Sequence, residues 1–114
     1  SNPWLSIAPI LAVPGLKTAL LARDVPRVAV SPIVGGQAIK GPTAKIMREL
    51  GIAPSAREVG LYYESVINGF LYDQSDKTLT IDGLRLASRQ TVMRTDRDKI
   101  ALAEALMTWI TSWS

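Results

Sequence analysis

The sequence predicts an α/β fold, a Rossmann-like parallel sheet with flanking helices. Segments with helical and with extended patterns alternate along the 114 residues. Residues 28–30, Val-Ala-Val, are apolar on both faces, which is typical of a strand covered by helices on both sides. Strands and helices alternate along the chain at intervals that favour parallel pairing through right-handed crossovers. We treat residues 1–114 as a single α/β unit.

Three segments have the composition of strands. They are residues 27–31, residues 70–72, which end at Asp73, and residues 84–89, which follow the turn Asp82-Gly83.

The helices are predicted from apolar residues at helical spacing and from their end signals. Pro14 and Pro42 suit first helical turns, Gly51 suits a C-terminal cap, and Ser55 with Glu58 forms an N-terminal capping pattern. The predicted helices span residues 6–13, 15–23, 44–50, 55–63 and 97–113.

The last predicted helix is mostly apolar and ends in two tryptophans. We expect Asp96 to cap it and a stripe of five residues to face inward: Ile100, Ala103, Leu106, Met107 and Ile110. Trp109 and Trp113 are four residues apart and therefore share a face. Two indoles so close together indicate burial against another part of the protein or against a second subunit.

Composition excludes several classes of function. The 13 Lys and Arg against 10 Asp and Glu give a charge of +3 without a dense basic run, so we expect no nucleic-acid partner but allow a small anion. The absence of cysteine and histidine removes thiolate chemistry and the commonest metal ligand. The most apolar stretch, residues 5–16, is interrupted by prolines and is too short for a membrane span. We expect no membrane association and a cytoplasmic location.

The chain begins Ser-Asn-Pro-Trp, without an initiator methionine or a signal-peptide pattern. We therefore expect it to be the carboxyl-terminal part of a larger domain.

The segment SPIVGGQAIKGPTAK, residues 31–45, is unusual for a connection between a strand and a helix. Gly35 and Gly36 allow main-chain amides to approach a ligand, Lys40 adds a positive charge, and Gly41 precedes a helix start that favours an anion. The spacing matches neither a Walker A motif nor a dinucleotide fingerprint. A phosphate or nucleotide site and a simple chain turn are both consistent with this pattern.

Other candidate residues also have two interpretations. Asn2 either faces a substrate or makes an Asx-type turn, and Trp4 either stacks on a flat ring or packs at the edge of the core. Asp73 lies where open α/β sheets hold polar ligand groups, but it also suits a turn cap. We interpret Asp96 as structural, and we favour ligand contact for Lys40.

Three stretches, SNPWLSIAPILAVPGL, VAVSPIVGGQAIKGPTAKIMRELG and TVMRTDRDKIALAEALM, closely resemble the carboxyl-terminal half of 2-phospho-L-lactate transferases. The resemblance covers nearly the whole chain and is weakest over residues 74–89. It implies a Rossmann-like enzyme of coenzyme F-420 biosynthesis. Such an enzyme transfers a phospholactyl or phosphoenolpyruvyl group from a guanosine diphosphate conjugate to the deazaflavin alcohol Fo, and it releases GMP with the help of magnesium.

The resemblance also implies roles for particular residues. Residues 1–3 form a substrate-facing loop, and residues 31–36 with Lys40 and Gly41 receive the guanosine diphosphate end or the transferred phosphate. The implied substrate-binding residues are Ser1, Asn2, Pro3, Ser31, Pro32, Ile33, Val34, Gly35, Gly36, Lys40 and Gly41. The magnesium ligands and the catalytic residues are expected in an amino-terminal part that this chain does not contain, and the family implies a homodimer.

Two other functions compete with the transferase. Relatives of this fold include non-catalytic regulators that bind sugar nucleotides, which would keep the anion loop and lack metal carboxylates. A purely structural module would bind no nucleotide. Paired aspartates beside an amino-terminal glycine-rich loop would favour the enzyme.

Overall fold

A three-stranded parallel sheet forms the centre of the computed structural model, which describes residues 2–38 and 41–113. The strands are β1 (Val28–Val30), β2 (Ile33–Val34), β3 (Gln37–Ala38), β4 (Gly69–Asp73) and β5 (Arg85–Arg89). The helices are α1 (Ala8–Leu11), α2 (Leu16–Leu21), α3 (Thr43–Glu49), α4 (Ala56–Tyr63) and α5 (Asp96–Thr111), and a π-helical turn, Pro3–Ile7, precedes α1.

The sheet has the order β1-β4-β5, and both pairs of strands are parallel. Ala29 lies beside Phe70, and Phe70 lies beside Leu86 in the shared register. All five residues of the central strand β4 are buried, as expected for a strand with a neighbour on each side. The predicted α/β class and parallel pairing are confirmed.

Helix α4 covers one face of the sheet and α5 the other. A Cβ added at Gly60 in α4 would lie 3.1 Å from the Phe70 ring, so the bare glycine lets helix and sheet approach closely. On the opposite face, a Cβ at Gly69 would lie 2.4 Å from the Trp113 ring. The core cluster lies mainly between α4, α3 and the sheet: Ile33, Ala44, Met47, Ala56, Val59, Tyr63, Val66, Phe70 and Tyr72.

Helix α5 runs antiparallel to the strands. Trp113, just beyond its carboxyl end, contacts Gly69, and its ring centroid lies 5.0 Å from the guanidinium carbon of Arg85. Gly69 is the first residue of β4, and Arg85 is the first residue of β5. The amino-terminal end of α5 therefore lies toward the carboxyl edge of the sheet. The Trp109 and Trp113 rings meet edge to face with centroids 5.0 Å apart, which confirms that they share a face.

Two predictions about α5 are wrong. The N-cap is Thr95, not Asp96, because the Thr95 side chain accepts from the Asp98 amide and Asp98 completes a reciprocal capping box. The predicted inward stripe is largely exposed: Ile100 is 59% and Met107 60% accessible, and Ala103 is exposed as well. Leu102 is instead the buried residue of this helix.

The glycine-rich segment is not a plain strand-to-helix loop. It contains an antiparallel hairpin in which Ile33 pairs with Ala38 and Val34 with Gln37. Gly35 and Gly36 form the two-residue turn with φ of 59° and 79°, and positive φ at both positions is the geometry that glycine allows at low cost.

Strand β1 was predicted to be buried but is the edge strand of the sheet. Its residues are only partly covered, and Val30 is 38% accessible. In the part of the chain that the structure describes, no helix is long and apolar enough to cross a membrane.

Candidate substrate cleft

A cleft of about 1020 Å³ surrounds the free edge of β1. Its walls come from the amino-terminal segment, from residues 25–32, from the start of α3, from α4 and from the segment that enters α5. Much of the lining is apolar, with Leu5, Ile7, Leu11, Leu20, Val59, Val66 and Ile67 among its residues. The cleft therefore combines apolar side walls with the polar carboxyl end of a strand.

One wall of the cleft is fixed by Asn2. Its side-chain oxygen accepts from the amides of Trp4 and Leu5, and its amide nitrogen donates to Thr43 Oγ1 at 2.9 Å. Asn2 thus caps the first helical turn and ties it to α3. This contact supports the Asx-type interpretation and also leaves the residue on the cleft wall.

Tyr63 holds the next residue of the same wall. Its hydroxyl donates to the carbonyl oxygen of Pro3, and both residues line the cleft. Burial raises the pKa of Tyr63 to about 12, with a smaller contribution from the neighbouring Tyr62. The phenol is therefore neutral at physiological pH and remains a hydrogen-bond donor.

Trp4 packs against the protein. Its ring lies 5.0 Å from the Tyr62 ring and contacts the core cluster. This geometry favours the packing interpretation of Trp4 over stacking on a ligand.

Ser31 marks the carboxyl end of β1. Its amide donates to the carbonyl of Leu71 at 2.8 Å, and its hydroxyl bonds to the backbone of Ile33 at 3.1 Å. The side chain is buried, so the residue shapes the bend that leads from β1 into the hairpin.

Asp73 has a structural role at the neighbouring strand end. Its carboxylate accepts from the amide and hydroxyl of Thr91, both at 2.9 Å, and from the amide and hydroxyl of Ser75. Burial would raise the pKa of this carboxyl, but the hydrogen bonds from Ser75 and Thr91 outweigh it and lower the pKa to about 2. Asp73 therefore caps the following turn and fixes Thr91, which lines the cleft.

The glycine turn is not part of the cleft lining and is held by a contact within the protein. The amide of Gly35 donates to Asp76 Oδ1 at 2.9 Å. The second oxygen, Asp76 Oδ2, is buried and has no hydrogen-bond partner among residues 2–38 and 41–113. The Asp76 carboxylate therefore accepts from the backbone amide of Gly35, a donor that the sequence pattern suggested for binding a phosphate.

The structure brings together five of the predicted substrate-binding residues. Asn2, Pro3, Ser31, Pro32 and Gly41 all line the cleft.

Four further predicted binding residues are described outside the cleft lining. The Ile33 side chain is completely inaccessible and belongs to the core. Val34, Gly35 and Gly36 are in the hairpin, outside the cleft lining. Ser1 and Lys40 lie outside the described residues.

Comparison with known proteins places the chain in a family. Residues 1–111 match the family described as "2-phospho-L-lactate transferase CofD". The chain belongs to the 2-phospho-L-lactate transferase family.

The relatives include both 2-phospho-L-lactate and phosphoenolpyruvate transferases. The chain is 34% identical over 111 residues to a 2-phospho-L-lactate transferase of Methanosarcina barkeri, a match that covers 94% of this chain and 35% of the relative. It is 34% identical over 106 residues to a phosphoenolpyruvate transferase of Thermobifida fusca, covering 92% of this chain and 32% of the relative. A phosphoenolpyruvate transferase of Kitasatospora aureofaciens is 41% identical over 78 residues, which cover 68% of this chain and 24% of the relative. The chain spans about a third of the length of the first two relatives.

The magnesium ligands that the family resemblance implies are expected in a part of the family's length that this chain does not span. In the ranges 2–38 and 41–113, no group of three or more acidic side chains is placed to hold a metal ion. The Asp73 carboxylate is already occupied by four hydrogen bonds, and one Asp76 oxygen is bonded to Gly35.

Sequence reasoning missed several cleft residues, among them Tyr63, Thr91, Met93 and Lys99. None belongs to a short motif. The signal that points to Thr91 is its place just after a strand that lies beside β4, since carboxyl ends of parallel strands meet at one edge. Tyr63 carries no comparable signal because a tyrosine at the end of an apolar helix is usually a core residue.

Proposed function

We propose that the full-length protein transfers a 2-phospho-L-lactate or phosphoenolpyruvate group from a guanosine diphosphate conjugate to the deazaflavin Fo, as a step of coenzyme F-420 biosynthesis in the cytoplasm. The observation that carries this proposal is the match of residues 1–111 to the 2-phospho-L-lactate transferase family. The end of the cleft at Ser31, just beyond the carboxyl end of β1, supports it, because open α/β sheets bind their ligands beside the carboxyl ends of their strands.

The proposed reaction is a substitution at phosphorus. The hydroxyl oxygen of Fo forms a new bond to the phosphorus that carries the lactyl or enolpyruvyl group. The bond from that phosphorus to the bridging oxygen of GMP breaks, GMP leaves with the electron pair, and the hydroxyl proton is lost. Catalysis of such a transfer depends mainly on positioning and on charge neutralisation.

In this reaction, the described residues of the cleft would bind and orient. Asn2 and Pro3, held by Thr43 and Tyr63, give a rigid wall. Ser31, Pro32 and Gly41 form the end at which we propose that the phosphate groups lie. The contact from Asp76 makes the amide of Gly35 a weaker candidate for a phosphate donor, because a ligand would have to displace a carboxylate.

The apolar side of the cleft suits a flat aromatic ligand. Ile7, Leu11, Leu20 and Ile67 line it, and sites for ring systems are mostly apolar with a few polar groups that fix orientation. We propose that the deazaflavin ring of Fo occupies this side.

The proposal includes both substrates that could supply the transferred group, the guanylated 2-phospho-L-lactate and the guanylated phosphoenolpyruvate. Relatives named for 2-phospho-L-lactate and for phosphoenolpyruvate match this chain at the same identity of 34%. Magnesium would supply charge neutralisation at the reacting phosphorus, and we expect its ligands in the part of the family's length that this chain does not span.

Product analysis tests the proposal directly. The full-length protein is incubated with Fo, magnesium and either guanylated donor, and the mixture is separated by chromatography. We expect release of GMP together with conversion of Fo to a phosphodiester. Binding of guanine nucleotide without a product from either donor would overturn the enzyme and favour the regulatory protein of the same fold. Failure to bind any nucleotide would favour a structural module.

We also propose that the full-length protein forms a homodimer. The apolar side chains of Ile100 and Met107 are both more than half exposed and lie seven residues apart on α5, hence on one face. Sedimentation at micromolar concentration is expected to give a dimer, and Met107→Glu is expected to shift it toward the monomer. A strict monomer for the unmodified protein would overturn this proposal.

A further inference from the structure

Two cationic side chains line the described part of the cleft, Arg27 and Lys99. Arg27 is engaged by the backbone: its Nε donates to the Val66 carbonyl at 2.8 Å, and its Nη1 donates to the Arg23 carbonyl at 2.8 Å. This guanidinium connects the start of β1 to the end of α4. The Arg27 guanidinium therefore stabilises the fold through hydrogen bonds to backbone carbonyl groups.

Lys99 is in a different situation. Its side chain is 65% exposed, and its described ion pair is with Asp96, at 3.7 Å, whose side chain is 96% exposed. Such solvent-exposed pairs contribute little and exchange readily with other partners. The ammonium group is therefore available to an anion that enters the cleft.

The position of Lys99 is set by the direction of α5. Because this helix runs antiparallel to the strands, its first turns lie at the carboxyl edge of the sheet. Lys99 lines the cleft together with Thr91 and Met93, and the same cleft is lined by Ser31 and Gly41. Lys99 thus belongs to the cleft in which we propose that the phosphate groups lie.

The carboxylates of Asp73 and Asp98 near this end stay ionised, but each is held in hydrogen bonds of its own. Asp73 accepts from Ser75 and Thr91, and Asp98 accepts from the amides of Arg94 and Thr95 in the capping box. Asp96 points into solvent. The ammonium group is therefore free to supply positive charge to a ligand.

We propose that Lys99 binds the phosphate groups of the guanosine diphosphate donor at the carboxyl edge of the sheet. This inference rests on the transferase function proposed above. A long side chain on a rigid helix suits such a contact, because the ammonium acts as a mobile point charge and the backbone stays fixed.

The test is titration of the full-length protein with GDP and with guanosine by calorimetry. Removing a charge-assisted hydrogen bond lowers affinity by about ten- to a hundred-fold. We therefore expect Lys99→Ala to weaken GDP binding by this factor and to leave guanosine binding unchanged, since guanosine has no phosphate. Lys99→Arg is expected to restore most of the affinity, and the loss in Lys99→Ala is expected to shrink at high salt.

Lys45→Ala is the matched control. Lys45 is also an exposed helical lysine in an ion pair, with Glu49 at 3.9 Å, but it is not part of the cleft. It is expected to bind GDP like the unmodified protein. Unchanged GDP affinity in Lys99→Ala, or an equal loss for GDP and guanosine, would overturn the inference.

The outcome for Lys99 is separable from the proposed function. If the unmodified protein forms the phosphodiester product but Lys99→Ala keeps full GDP affinity, the transferase proposal stands and the Lys99 contact is wrong. If the unmodified protein forms no product but Lys99→Ala has lower GDP affinity, the Lys99 contact stands and the transferase proposal is wrong.

Discussion

The backbone amide of Gly35 donates a hydrogen bond of 2.9 Å to the carboxylate of Asp76, 41 residues further along the chain. The glycine pair was the strongest sequence signal for a phosphate site. In the fold it forms the turn of a short hairpin, and a carboxylate of the protein already fills the position of an anion.

The first prediction concerns this contact. Asp76→Ala is expected to raise the hydrogen-exchange rate of the Gly35 amide by at least about tenfold, because a hydrogen bond to a carboxylate, about 1.5 kcal/mol, no longer protects it. Asp76→Asn keeps an oxygen acceptor and is expected to leave the exchange rate nearly unchanged. Exchange is measured amide by amide by nuclear magnetic resonance. Equal rates in all three proteins would contradict a contact that protects the turn.

The same pair of variants checks the role of the turn in ligand binding. We expect GDP affinity to be the same, within about twofold, in Asp76→Asn and in the unmodified protein, because the phosphate end of the cleft lies at Ser31 and Gly41. A tighter complex in Asp76→Ala would show that the carboxylate competes with phosphate for the Gly35 amide.

The α/β class was predictable because buried strands have an apolar pattern that is visible in the sequence. The run Phe70-Leu71-Tyr72 is apolar on both faces and lies in the fully buried central strand. The helix start at Ser55 follows from a local capping hydrogen bond, with the Glu58 amide 3.1 Å from the serine hydroxyl. Signals of this kind lie within a few residues, and tertiary structure only reinforces them.

The wrong predictions concern features that are set by contacts between residues far apart in the sequence. The hairpin at residues 33–38 was missed because two strands of two residues carry too little pattern, and its turn depends on Asp76. The inward face of α5 was misassigned because apolar spacing gives two possible stripes, and contact of Trp113 with Gly69 selects the one that contains Leu102. The cleft joins residues that are far apart in the sequence, and some of them, such as Tyr63 and Lys99, carried no sequence signal.

The second prediction compares two neighbouring residues at the start of α5. Thr95→Ala removes the capping side chain and is expected to lower the free energy of unfolding by about 1 kcal/mol. Asp96→Ala removes an exposed carboxylate and is expected to change it by less than about 0.5 kcal/mol. Urea denaturation measures both values. A larger loss for Asp96→Ala than for Thr95→Ala would restore Asp96 as the cap.

The third prediction concerns acid stability. Hydrogen bonds from Ser75 and Thr91 overcome the effect of burial and lower the pKa of Asp73 from 3.8 to about 2. The unfolded chain therefore takes up the proton first as the pH falls. The stabilising contribution is complete above about pH 4 and is lost as the pH falls through about 2.

A shift of this size corresponds to about 2 kcal/mol, so stability measured by urea denaturation should fall by about that amount between pH 4 and pH 2. Asp73→Asn removes the ionisable group and is expected to flatten this part of the profile, at the cost of lower stability at pH 7. Identical slopes for the two proteins between pH 4 and pH 2 would assign the acid sensitivity to other groups.

The last prediction concerns the packing of α5 on the sheet. A Cβ at Gly69 would lie 2.4 Å from one Trp113 ring carbon and 2.7 Å from another, and it would also approach Val28 at 3.2 Å. Gly69→Ala therefore forces the indole away from the sheet and is expected to lower the free energy of unfolding by about 1–3 kcal/mol. In a protein that already carries Trp113→Ala the same substitution meets only the milder Val28 contact, so its cost is expected to fall by more than about 1 kcal/mol. This double-mutant cycle is measured by urea denaturation, with tryptophan fluorescence as a second readout of the displaced ring. Additive effects of the two substitutions would mean that the indole does not rest on Gly69, and the direction of α5 across the sheet, with Lys99 at the carboxyl edge, would lose its main support.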